Sequence, residues 1–296
     1  MDNTIKYQVI NISSKTKLRA YLKDRENIST RFLLSAAKEG RIKVNGKVEK
    51  LNYILKEKDI IEMILNRNES QNIEPEKMDI KVMYEDDDIL VVDKPSNIVV
   101  HPTKSYPSNT LANGIVYYFR EKGDKTIVRL VSRLDMNTSG LILIAKNQFS
   151  HMSLSRDKKE FQKKYIAVIH NHMEEEKGTI DLPIYRQLDG DIRRIVDDRG
   201  QNSITHYKII ERYEKGELLE LDLETGRTHQ IRVHLNYFNC PIYGDDLYCN
   251  EDDSILIGRQ ALHAKAIRFI HPRTQKIVNI ESEIPKDIKN LIETLK

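Results

Sequence analysis

The apolar runs ILVVD at 89–93, LILIA at 141–145 and YIAVI at 165–169, with the alternating ITHYKII and LLELDLE around 204–224, make strands dominant from residue 80 onward. Helices are expected at 109–119, near 149–156 and at 228–238. Strands and helices are therefore interspersed without the regular alternation of a doubly wound parallel sheet, and the expectation is an α+β domain with a mixed or antiparallel sheet. Neither a GxGxxG nor a GxxxxGK(S/T) segment is present, which argues against nucleotide-cofactor or triphosphate chemistry.

A separate small unit precedes this region. Leu18 and Leu22, then Phe32, Leu33, Ala36 and Ala37, have helical spacing, with Ser29 or Thr30 able to cap the second helix and Gly40 placed to stop it. Ile42 and Val44 alternate with Arg41 and Lys43 as a short strand, and Asn45-Gly46 favours a tight hairpin turn. We read residues 13–66 as a small α+β domain, the polar and aperiodic 67–79 as a linker, and 80–296 as the main domain. Residues 1–66 carry 14 Lys and Arg against 8 Asp and Glu, a net of +6; the whole chain is +3, so the remainder is −3. A basic module on a near-neutral body suggests a nucleic-acid-binding appendage. The chain has no run of 18 apolar residues and no basic leader followed by an apolar segment, so a cytoplasmic protein with no membrane partner is expected. Cys240 and Cys249 are too few for a disulfide framework or a structural zinc site; free thiols and no metal are expected.

The segment most informative about chemistry is SRLDMNTSG at 132–140, immediately before LILIA. An acidic residue flanked by Arg133, Thr138 and Ser139, in a glycine-ended turn before a core strand, is placed to present a carboxylate at a sheet edge. The same spacing also suits an aspartate that only caps the loop.

The RLDxxTSG run resembles the central motif of the RluA family of pseudouridine synthases, usually HRLDxxTSG with a catalytic aspartate. Four further segments follow in that family's order: His101-Pro102 with Thr110-Leu111, Lys164-Tyr165, GRTHQIRVH at 226–234, and Leu262-His263-Ala264 with His271-Pro272. The likeness spans roughly residues 80 to 285. It implies that Asp135 is the catalytic carboxylate and that Tyr165 is the active-site tyrosine, able to stack on a flipped uracil. It also implies that Arg232 is the cation paired with Asp135. Arg133, Thr138, Arg227 and His229 are then expected in substrate or RNA contact, and His229, His234 and His263 are expected as structural or RNA-contacting histidines rather than metal ligands. Two positions depart from the pattern: Ser132 stands where the family has histidine, and Asn109 replaces a glycine, where it can still cap a helix.

The N-terminal unit resembles the small RNA-binding domain named after ribosomal protein S-four, which implies that Arg31, Lys38, Arg41, Lys43 and Lys47 face RNA. Together these likenesses imply isomerisation of uridine to pseudouridine in structured RNA. Large-subunit ribosomal RNA is the expected target, with no cofactor, no DNA partner and a monomeric enzyme. Two rivals stand beside this reading. One is a non-catalytic RNA-binding assembly factor; the other is a glycosidase, which needs a second carboxylate such as Asp222, Glu224, Asp245 or Asp246.

Overall fold

The computed structural model describes residues 4–65, 71–156, 161–188 and 191–296. In the N-terminal unit, strand β1 (Thr4–Gln8) is followed by α1 (Leu18–Ala20), which runs into a π-helical turn at Tyr21–Arg25. Helix α2 (Thr30–Lys38) begins where the Ser29 hydroxyl accepts the Phe32 N–H, and strands β2 (Ile42–Val44), β3 (Lys47–Val48) and β4 (Ile60–Ile64) follow. The turn between β2 and β3 uses Asn45 and Gly46 at φ of 50° and 79°, the left-handed pair that a two-residue hairpin needs. The sheet order is β1-β4-β2-β3. Leu18, Leu22, Phe32, Leu33, Ile42 and Ile61 fill the space between sheet and helices. The expected first helix is thus shorter than the Leu18/Leu22 spacing suggests, and β1 lay outside the sequence expectation.

Arg41 corrects one expectation. It is buried, with Nε on Glu39 at 2.8 Å, Nη1 on the Ile64 carbonyl at 2.9 Å, and its guanidinium 5.3 Å from the Phe32 ring centre. It braces the domain and is not presented to RNA. Arg31, Lys38 and Lys47 are exposed, and Lys43 is half-buried.

The second domain contains β5 (Lys81–Glu85), β6 (Ile89–Lys94), α3 (Leu111–Glu121), β7 (Arg129–Leu130), β8 (Ser139–Ala145), α4 (Gln148–Arg156), β9 (Gln162–His170) and β10 (Lys177–Asp181). It continues with β11 (Ile184–Tyr185), β12 (Ile195–Val196), β13 (Ile204–Tyr213), β14 (Gly216–Leu223), α5 (Gln230–Tyr237), β15 (Leu262–Ile270), β16 (Ile277–Glu281) and α6 (Lys286–Leu295). The main sheet runs β10-β13-β14-β9-β15-β8-β6-β5, with β16 on β15 and β7 on β8. Its pairings are antiparallel except that β8 and β15 run parallel, so the sheet is mixed and the domain α+β. Every residue of β8 is buried, which explains why SGLILIA carries no apolar–polar alternation.

Residues 71–79 form no strand or helix, yet they are not a free tether. Ile73 is buried in the α3 cluster, the Glu74 carbonyl accepts from Asn113 Nδ2 at 2.8 Å, and Glu76 Oε2 accepts the Asn109 N–H at 2.7 Å. Asn109 is not a helix cap: at φ 55° it turns the chain into Thr110, whose side chain forms the capping box with Asn113. The rest of the linker expectation, at 67–70, falls outside the described residues.

The N-terminal unit packs on the second domain through α4, where Phe149 and Met152 join its core. Ser29 Oγ donates to Met152 Sδ at 3.1 Å and Arg156 donates to the Asn27 carbonyl. Arg273 holds Asp88 at 2.6 and 3.0 Å while its Nη1 donates to the Thr4 carbonyl at 3.2 Å. Helix α4 follows the C-terminal end of β8, and Arg273 lies just past the C-terminal end of β15. The N-terminal unit therefore sits roughly 20 Å along these strands from the loop that precedes β8.

Candidate active site

Three strands meet beneath that loop. Ser139 and Gly140 of β8 lie opposite His263 and Ala264 of β15, and Ala264 lies opposite Tyr165 of β9. Gly140 has φ 113°, and a Cβ there would fall 2.3 Å from the Ala264 carbonyl oxygen, so only glycine lets the two strands close. Ser139 Oγ and His263 Nδ1, 2.9 Å apart, link the same two strands.

Buried cations fix the loop from below. Lys94 Nζ donates to the carbonyls of Pro95, Ile98 and Met136 at 2.7, 3.0 and 2.8 Å. Burial, reinforced by the neighbouring charge of Arg259 and opposed by Asp135, pulls Lys94 down to about 7. Arg259 grips Asp287 at 2.6 and 3.0 Å and donates through Nη1 to the Asn137 carbonyl at 3.3 Å. Thr138 donates its N–H to the Asp135 carbonyl at 3.2 Å, and its hydroxyl accepts from Gln260 Nε2 at 3.2 Å. It is buried and shapes the loop, so the expected substrate contact through Thr138 is replaced by a structural role.

Asp135 stands above this frame with 28% of its side chain exposed. Arg232 Nη1, from α5, is 3.3 Å from its Oδ2, and His229 Nε2 is 4.0 Å from its Oδ1. The remaining nitrogens of Arg232 are held by Asp245, with Nε to Oδ2 at 2.6 Å and Nη2 to Oδ1 at 2.7 Å. Burial works against the charge of Arg232, but the hydrogen bonds and charges of Asp245 and Asp135 outweigh it and raise its pKa. Asp245 also accepts the N–H groups of Leu247 and Tyr248 at 3.0 and 3.1 Å. The Arg232 guanidinium lies 5.1 Å from the centre of the Tyr248 ring. Tyr165 is only 5% exposed; burial and then the charge of Asp135 raise its pKa, so its phenol stays protonated at neutral pH.

Asp135, Tyr165, and Arg232 with His229 thus come together from three separate stretches of chain. Arg133 and Arg227 are exposed and neither pairs with Asp135 among the described residues; Arg227 Nε donates to the Asn202 carbonyl at 3.2 Å. Helix α5 starts at Gln230, two residues later than expected, because His229 adopts φ 57° and turns the chain. The side chain of Gln230 ties Thr225, the Arg227 N–H and Thr205 into one loop. Ser132 is buried, and its hydroxyl has no hydrogen-bond partner among the described residues. His234 is bonded to Thr205 and the Leu182 carbonyl, and His263 to Ser139, so these two do not converge with His229 on a metal site. The clusters with ligand-like spacing among the described residues lie elsewhere, at His170, Cys249 and Asp253 and at Asp86, Asp88 and His271. In the second, Asp86 is already bonded to His271 and Asp88 to Arg273. Both cysteines are free.

Sequence reasoning missed Lys94, Arg259 and Tyr248, and considered Asp245 only as a second acid. Its two oxygens are held by Arg232 and backbone N–H groups, so Asp245 itself is not free for a glycosidase's proton transfer. The GDD run at 244–246 was the available signal, but its partner lies in a different segment of the chain.

Comparison with known proteins places this arrangement. Residues 88–237 match the family model described as RNA pseudouridylate synthase. The chain is 39% identical over 264 residues to the "Uncharacterized RNA pseudouridine synthase YlyB" of Bacillus subtilis (strain 168), covering 88% of this chain and 87% of that protein. It is 35% identical over 250 residues to the "Ribosomal large subunit pseudouridine synthase D" of Pasteurella multocida (strain Pm70), covering 80% and 77%. Among solved structures, "Human RNA Pseudouridylate Synthase Domain Containing 4" superposes with a TM-score of 0.59 at 22% identity over 73% of this chain and 92% of that one, a likeness of fold.

Proposed function

The chain belongs to the RNA pseudouridylate synthase family, and from that premise we propose that it isomerises uridine in large-subunit ribosomal RNA with Asp135 as the catalytic carboxylate. The observation that carries the assignment is the position of Asp135. It is partly open to solvent, 3.3 Å from Arg232 Nη1, and held over the β8–β15 junction beside Tyr165.

Isomerisation breaks the ribose-to-N1 bond and joins the same ribose carbon to uracil C5. No electron or group is supplied from outside. The reaction needs a carboxylate to act on sugar or base, a surface for the loosened uracil, and a fixed counter-charge. Asp135 supplies the first, the Tyr165 ring the second and Arg232 the third. With its pKa raised, Tyr165 serves by stacking and by its neutral hydroxyl rather than as a tyrosinate base.

The likeness to large-subunit enzymes supports ribosomal RNA as the substrate class. The N-terminal unit is read as an S-four-like RNA-binding domain; exposed Arg31, Lys38 and Lys47, with Lys43, support phosphate contact. No described helix is long and apolar enough to cross a membrane.

The decisive experiment is Asp135→Asn, which keeps shape and removes the carboxylate. Pseudouridine formation in a large-subunit RNA transcript should disappear while RNA affinity stays within about threefold. Measurable turnover by this variant removes Asp135 from the chemistry.

A further inference from the structure

Beside Asp135 lies a hydrogen-bonded chain that its chemistry as described does not use. The Arg194 N–H, in the β11–β12 loop immediately before β12, donates to the Tyr248 hydroxyl oxygen at 2.8 Å. That oxygen is 3.0 Å from His229 Nδ1, and His229 Nε2 faces Asp135 Oδ1 at 4.0 Å. Ile184, Val196, Val233 and Leu247 pack around the Tyr248 ring, so the hydroxyl cannot swing away.

The direction of the chain follows from counting protons. Tyr248 Oη already receives the Arg194 N–H, and it has one proton of its own to place. Donated to His229 Nδ1, that proton is satisfied and Nδ1 acts as acceptor. If Nδ1 carried the proton instead, the oxygen would receive two donors and the phenol proton would be left without a partner in a largely buried site. A neutral His229 with Nδ1 as acceptor carries its proton on Nε2, which is the nitrogen turned toward Asp135.

We propose that Tyr248 is a positioning residue that locks His229 in the Nε2–H tautomer, so that a neutral donor faces one oxygen of Asp135 while Arg232 faces the other. The 4.0 Å gap is about 1 Å longer than a hydrogen bond and closes by a small turn of either side chain. In the opposite tautomer an Nε2 lone pair would face a carboxylate lone pair, and the repulsion would turn Asp135 away. Four charged groups surround the imidazole: Asp135 on the loop before β8, Arg232 on α5, Arg194 on the hairpin and Asp245 on the loop after α5. Burial, with the two arginines, lowers the His229 pKa against the two aspartates, in keeping with a neutral ring.

This inference rests on the assignment of Asp135, and its test is separable from it. Histidine labelled with ¹⁵N in the full chain reports the tautomer directly, with His229→Gln used to assign the signal. Nδ1 should show an unprotonated shift and Nε2 a protonated one at pH 7.5. In Tyr248→Phe, which keeps the packed ring and loses only the hydroxyl, the signal should become a mixture of tautomers. The single-turnover rate on an unmodified large-subunit ribosomal RNA transcript should then fall about tenfold or more, with affinity unchanged. His229→Gln, whose amide still donates, should retain more activity than His229→Leu. A protonated Nδ1 in the parent protein, or a parental rate in Tyr248→Phe, overturns the proposal. If the tautomer is as stated but Asp135→Asn still turns over, the reading of Asp135 fails and the tautomer lock stands.

Discussion

Arg232 is positioned by an acid that motif reading alone did not pair with it. Its side chain and that of Asp245 are both buried and joined by two hydrogen bonds, which leaves one guanidinium nitrogen for Asp135. Asp245→Asn keeps the shape but leaves the buried guanidinium with the longer, partly exposed pairing to Asp135, so unfolding free energy should drop by about 2 kcal/mol, read by urea titration. The rate at saturating RNA should fall with it. A second expectation comes from His263, which burial holds down to about 4. Between about 6.5 and 4 the unfolded chain binds the proton and the folded chain refuses it, so stability falls as pH is lowered through that window. The full effect of this one group is on the order of 3 kcal/mol. His151, His229 and His234 are displaced in the same direction by burial and steepen the trend. His263→Gln should flatten the slope of urea midpoint against pH between 6.5 and 4 without abolishing it. Asp135 and Arg232 were legible in the sequence because each sits in a contiguous run that resembles a known motif. Asp245, Tyr248 and Lys94 were not, because their roles depend on partners brought in by tertiary structure. Arg41 was misread for the complementary reason: its charge was visible and its burial was not.

Among the elements, β8 carries the most constraint, since it must be apolar on both faces, follow directly on the loop that carries Asp135 and accept β15 in parallel. Gly140→Ala adds a methyl carbon within 2.3 Å of a backbone carbonyl at a positive φ, and neither atom can yield. The variant should lose at least about 2 kcal/mol of stability and its activity together. Gly226→Ala, which meets nothing within 4 Å and has no positive φ, should change thermal stability by no more than about 0.5 kcal/mol. The positions of β6, β8, β9, β13 and β14 were legible from their apolar runs, as were α3 and α4 to within a few residues. Strand β1 was missed because its pairing partner, β4, lies more than fifty residues away. The start of α5 was misplaced because nothing local to Thr228 and His229 announces a left-handed residue there.

At the scale of the whole molecule, the proposed RNA-binding unit and Asp135 lie toward opposite ends of the same strands. A chain beginning at residue 71 should fold and modify a saturating RNA, although it uncovers Phe149 and Met152. Its affinity for long RNA should weaken, and the dependence of binding on salt should flatten because fewer counterions are released. A chain beginning at residue 80 should be less stable still, since it lacks Ile73 and the Glu74 and Glu76 contacts to the start of α3. Melting curves and binding at two salt concentrations for the three lengths separate these effects; an unchanged salt slope would count against the electrostatic role of the small domain. The parallel pairing of β8 with β15 also has a bearing on when the enzyme becomes competent during its synthesis. Ser139 and His263 are 124 residues apart, so a ribosome that has finished the loop carrying Asp135 must add more than a hundred further residues before the strand that seats it exists. At elongation rates of about 5–20 residues per second, that interval is several seconds to tens of seconds. During it the N-terminal unit is already complete while the loop that carries Asp135 still lacks β15.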